Sequence, residues 1–153
     1  MYKRILVAVD GSETSLLALE EAIKLAKDQS AKLRILHVVD LAPAYTMMEG
    51  MPFAIDEYNK TLQNAAEKLM TDLGNRLKSA GIDFDQKVET IQSFRLRVSD
   101  VLNKQADNWP ADLIVVGTHG RRGFDRVMLG SVAEAVVRTS KKPVLLVRGV
   151  DKT

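Results

Sequence analysis

Hydrophobic and polar positions alternate between two periods along this chain. Residues 4–9, RILVAV, are apolar on consecutive positions after Arg4, as expected of a strand buried on both faces of a parallel sheet. Asp10-Gly11-Ser12 ends the run. From about residue 13 to 28 the period becomes helical, with Leu16, Leu19, Ile23 and Ala26 on one face. Residues 32–39, KLRILHVV, predict a second strand carried by Leu33, Ile35, Val38 and Val39. Residues 40–55 contain Pro43, Gly50 and Pro52 and predict a long irregular loop. Its methionines, Met47, Met48 and Met51, make it either a flap packed on its own chain or an adaptable contact surface.

The helical period returns over residues 56–79, with Leu62, Ala66, Leu69, Leu73 and Leu77 on one stripe, and Gly81 fits a C-terminal stop. Residues 84–91 predict a third strand, polar enough for a sheet edge. Residues 97–108 predict a helix with Val98, Val101, Leu102 and Ala106 inward, ended by Trp109-Pro110. Trp109 reads as a packing residue. Residues 113–116, LIVV, predict the fourth strand, residues 131–140 the last helix, and residues 143–148 the fifth strand.

Strands and helices alternating in this way predict a single α/β fold over residues 1–153. With right-handed crossovers, the expected solution is a doubly wound five-stranded parallel sheet, order 3-2-1-4-5, with helices on both faces. Such sheets bind ligands at the carboxyl ends of their strands, where successive connections leave for opposite faces. The loops bounding that crevice are residues 10–12 and 117–131.

The second of these loops carries the chemistry. After LIVV come Gly117, Gly120, Gly123 and Gly130, then Ser131 at the start of an apolar-periodic segment. Glycines there permit positive φ or a close backbone approach. Ser131 reads as an N-cap, and free amides at a helix start suit an anion, most often phosphate. Arg121, Arg122 and Arg126 supply matching charge. The plainer alternative is a long connection with solvated arginines.

Gly117-x2-Gly120-x9-Gly130-Ser131 resembles the nucleotide-binding branch of the universal stress protein family. So do the opening MYKRILVAVDGSETSLLALEEAIKLA and the closing SVAEAVVRTSKKPVLLVRG. The resemblance implies an ATP or AMP site. It places the adenine contact on Val38, whose backbone N–H and C=O suit a base edge, and a further pocket contact on Ala8. It lines a triphosphate with Gly117, Gly120, Arg121 and Gly123, and holds phosphate with Gly130, Ser131 and Val132. Asp10, at the end of the first strand, suits ribose hydroxyls or a Mg²⁺ beside the phosphates, or an Asx-turn with its own backbone. Where many members carry Gly-x-Pro after the third strand, this chain has Ile91-Gln92-Ser93-Phe94-Arg95.

Other classes are disfavoured. There is no G-x-x-x-x-G-K-[ST] and no G-x-G-x-x-G after the first strand. Cysteine is absent, which removes disulfides and thiolate metal sites. A net charge of +2 gives no argument for nucleic acid or membrane. No apolar run reaches the ~18 residues of a span, and the start of the chain has no signal-peptide pattern, so a cytoplasmic protein is expected. His37 reads as structural; His119, in the glycine loop, as a phosphate partner or a loop cap. Asp125 and His119 are too thin a basis for general-base catalysis, so any ATP turnover should be slow. The apolar last strand, as a sheet edge, invites pairing with a second copy through residues 143–150, as the resemblance also implies. Three functions follow: a nucleotide-dependent stress protein acting through conformation or partner choice, a nucleotide-free interaction module, or a slow hydrolase.

Overall fold

The computed structural model describes residues 1–119 and 129–149. Among these, ten elements follow one another: β1 (Arg4–Ala8), α1 (Glu13–Gln29), β2 (Lys32–Asp40), α2 (Ala42–Met47), α3 (Pro52–Ser79), β3 (Phe84–Ile91), α4 (Val98–Asn108), β4 (Leu113–Gly117), α5 (Ser131–Thr139) and β5 (Val144–Val147). The strands form one parallel sheet in the order β3-β2-β1-β4-β5, as the alternation predicts.

Side-chain alternation divides the core by face. Ile5, Val7, Leu33, Ile35, Leu113 and Val115 pack with Leu19 and Ile23 of α1 and Leu73 and Leu77 of α3. Leu6, Leu36, Ile114 and Val116 pack with Leu102 and Ala106 of α4 and Ala133 and Val136 of α5. Two-sided burial explains the unbroken apolar runs of the central strands. β1 therefore connects to β2 over one face, through α1. β4 connects to β5 over the other, through α5.

One segment departs from expectation. Residues 40–55 are not a long irregular loop: α2 occupies their middle and α3 begins at Pro52, four residues earlier than the apolar stripe indicates. The two prolines explain the misreading. Each lies in the first helical turn, where a missing N–H costs nothing and the fixed φ already suits the helix. Gly81 does end α3, with φ +69 and its N–H donating to the Lys78 carbonyl at 3.0 Å. Trp109 packs against the α4/α5 core, and the Arg34 guanidinium lies 4.6 Å from its ring centroid. Arg34 also grips Asp85 with two hydrogen bonds, tying β2 to the edge strand.

The amino ends of the strands are stitched together. One Asp112 carboxylate oxygen accepts from the backbone N–H of both Lys3 (2.8 Å) and Arg4 (2.9 Å). The Lys3 amide does most to hold this carboxyl below its usual range; partial desolvation opposes, and Arg4 and Lys142 add to the lowering.

Candidate functional site

Of the residues singled out above, Ala8, Asp10, Val38 and Gly117 lie at the carboxyl ends of β1, β2 and β4, and Gly130, Ser131 and Val132 at the start of α5. Ala8 pairs in register with Leu36, and Val7 with Val115. Continuing both ladders brings Asp10 level with Val38 on one side and Thr118 on the other. Ala8 and Val38 sit half-buried against the core that α4 and α5 share. The start of α5 lies on that same face.

The turn after β1 is tightly self-bonded. Asp10 Oδ1 accepts from the Ser12 N–H at 2.8 Å, the Asx-turn that Asp-Gly favours. Gly11 takes φ +82. Ser12 caps α1, its hydroxyl accepting from the Ser15 N–H at 3.2 Å. The buried Ser15 hydroxyl donates to the Ser12 carbonyl (2.9 Å) and accepts from the Asp10 N–H (3.2 Å).

Gly117 ends β4, and its glycine identity has a local cause. A Cβ built there lies 2.9 Å from the backbone C and O of Thr14 and from its Cγ2. The first turn of α1 thus rests directly on the end of β4. Neither Gly117 nor Gly130 has positive φ; both positions need space rather than an unusual conformation. At Gly130 a Cβ would lie 2.9 Å from the Thr118 carbonyl oxygen, which accepts the Gly130 N–H at 2.6 Å. That bond closes the loop between β4 and α5 at its base.

The N-cap of α5 is Gly130, not Ser131. Serine is the better cap by side chain, but only glycine fits against the Thr118 carbonyl. Ser131 is instead the first helical residue. The Gly130 carbonyl accepts the first helical bond from Glu134 at 2.9 Å, so the amides of Ser131, Val132 and Ala133 have no intrahelical acceptor. Ser131 and Val132 are exposed. The expectations for Gly120, Arg121 and Gly123, and for Arg122, Asp125 and Arg126, lie outside the described residues. His119 is described, with its Nδ1 3.1 Å from the Thr118 hydroxyl. Among the described residues no three His, Asp or Glu side chains group as a metal site.

One feature has no local signal in the sequence. In a parallel ladder, the amide of Val38 should follow the Val9-to-Leu36 bond (2.9 Å) by donating to the Val9 carbonyl. Among the described residues that bond is missing. The Val9 carbonyl meets the Nδ1 of buried His37 at 2.7 Å instead. A carbonyl only accepts, so Nδ1 carries the proton. Val38 is left with a backbone donor and acceptor facing past the end of β1.

These features define a doubly wound α/β fold with a crevice at the switch between β1 and β4. The chain belongs to the universal stress protein family, whose model matches residues 1–148. It is 35% identical to the universal stress protein YxiE of Bacillus subtilis over 149 residues, 97% of this chain and 100% of that one. The structure of UspA from Lactobacillus plantarum superposes with a TM-score of 0.80 at 25% identity, covering 96% of this chain and 98% of that one. A universal stress protein solved in complex with cAMP is 30% identical, with a TM-score of 0.64 and coverage of 96% and 97%.

Proposed function

We propose that this chain binds an adenine nucleotide, ATP or AMP, and acts in a cytoplasmic stress response through nucleotide-dependent conformation or choice of partner. The observation that carries this reading is the backbone donor and acceptor of Val38, which have no ladder partner among the described residues, on the same sheet end as the exposed first turn of α5. Adenine presents an acceptor, N1, beside an amino donor, which complements an N–H beside a C=O. The α5 amides suit phosphate, with Gly120, Arg121 and Gly123 as further contacts, and Ala8 and Gly117 as walls. Asp10 is assigned to ribose, or to Mg²⁺ when ATP is bound. The cAMP held by a relative 30% identical supports the same class of ligand. The outer edge of β5, with no neighbouring strand in the sheet order, supports a homodimer through residues 143–150.

Calorimetry and thermal unfolding with AMP, and with ATP and Mg²⁺, test the reading. A ligand at a hundred times its Kd adds about 2.7 kcal/mol to stability, which raises Tm by roughly 5–10 °C for a chain of this size. IMP, whose base edge reverses the donor and acceptor, should give a much smaller shift. No heat and no shift with either adenine nucleotide at millimolar concentration would refute the proposal.

A further inference from the structure

We infer that His37 is a positioning residue for this crevice: by taking the Val9 carbonyl, its ring keeps the Val38 amide out of the sheet and available to a base. His37 is 7% exposed and Val9 3% exposed, so the carbonyl has no ready water to turn to. A buried carbonyl takes whatever donor is in reach, because leaving it unpaired is costly. Two donors compete for it. One is the His37 Nδ1–H, at 2.7 Å; the other is the Val38 N–H, next along the ladder. The ring wins, and the ladder between β1 and β2 stops one bond short.

Removing the ring donor reverses the competition. In His37→Leu the Val9 carbonyl recruits the Val38 amide, the ladder gains a bond, and the base loses its donor. In His37→Asn the amide nitrogen falls near the Nδ1 position and holds the carbonyl as histidine does. The role in binding rests on the nucleotide reading above. The withheld ladder bond does not, and it is measured without ligand.

Amide hydrogen exchange by NMR on the ligand-free protein tests the inference first. The Val38 amide of the unsubstituted chain should exchange at least about tenfold faster than the Leu36 amide, which lies within the ladder. It should become protected in His37→Leu and stay fast in His37→Asn. Equal protection of Val38 and Leu36 in the unsubstituted chain overturns the inference, whether or not any variant folds. Affinity for AMP provides the second measurement. His37→Leu should weaken it about ten- to a hundredfold and narrow the preference for AMP over IMP, while His37→Asn restores both. Full affinity and preference in a folded His37→Leu likewise overturns it. Should the unsubstituted chain bind no nucleotide, the functional proposal fails, and the exchange pattern still decides the role of His37.

Discussion

Replacing Gly117 by alanine tests how closely the start of α1 is seated on the end of β4. The added Cβ would lie 2.9 Å from three Thr14 atoms, two of them backbone, where ordinary contact begins at 3.4 Å. The pair must part by at least half an ångström. Thr14 cannot yield by changing rotamer, since its carbonyl carbon and oxygen belong to a capped helical turn. Alanine has no difficulty with the backbone conformation, because φ here is not positive. The cost is therefore overpacking, about 1–3 kcal/mol, or a fall in Tm of roughly 2–4 °C per kcal/mol. Urea unfolding measures it as a lower midpoint at unchanged slope. Thr14→Ala in the same background removes only the Cγ2 contact and should recover a minor part of the loss. Gly74→Ala is the control: its Cβ would meet the end of the Gln86 side chain at 3.1 Å, and a helix-interior alanine gains back about 0.5–1 kcal/mol. That variant should lie within about 1 kcal/mol of the parent. A Gly117→Ala protein as stable as its parent within about 0.5 kcal/mol would refute this account and return Gly117 to the ligand alone.

Other expectations are more local. Ser12→Ala removes the cap of α1 and should cost about 1 kcal/mol, recovered largely by Ser12→Asp; an unchanged urea midpoint in Ser12→Ala would count against the cap. Asp112 has a folded-state pKa below that of the unfolded chain, so its contribution is complete above about pH 4, the unfolded value, and fades as acid protonates the folded carboxylate. Asp112→Asn should flatten the fall in stability below pH 4; two parallel acid-unfolding curves would contradict this. Light scattering at micromolar concentration should give about twice the 17.0 kDa chain mass, and a monomer would end the proposal of pairing through β5.

How much of this was legible beforehand depended on whether the cause was local. Strand runs such as LIVV and the stripe of α3 reflect burial, which the hydrophobic period reports directly. Sheet order followed from handedness and the alternation of elements. The prolines at 43 and 52 misled because Pro signals a break inside a helix and a beginning at its first turn, and the residue type does not distinguish them. Side-chain preference favours Ser131 as the cap, whereas the choice of Gly130 depends on a carbonyl at Thr118, twelve residues earlier. Gly117 announced a close approach without naming Thr14 as what approaches. His37 was legible as a buried, satisfied histidine. Its partner, Val9, lies 28 residues away in sequence, and only the register of β1 against β2 brings them together.

The two ends of the sheet satisfy their backbone groups differently, and this difference bears on where function lies. At the amino ends the extra bonds prolong the ladders: Lys32 donates to Lys3, Leu33 to Asp83 and Ile114 to Pro143, each at 2.9 Å, and Asp112 holds two more amides. At the carboxyl ends of β1 and β4 the ladders run one bond on, from Val9 to Leu36 and from Thr118 to Val147, each at 2.9 Å, and the polar groups beyond are diverted. The Val9 carbonyl goes to a histidine, the Thr118 carbonyl to the glycine that opens α5, and the Asp10 carboxylate to its own turn. These diversions leave Val38 and the first amides of α5 without a partner from the ladder or the helix. Backbone donors near a core are rarely left idle, and extending β1 against β2 one bond further would give Val38 a partner at the expense of the His37 bond. That this bond is forgone where the crossovers part to opposite faces supports the proposal that the crevice receives a ligand.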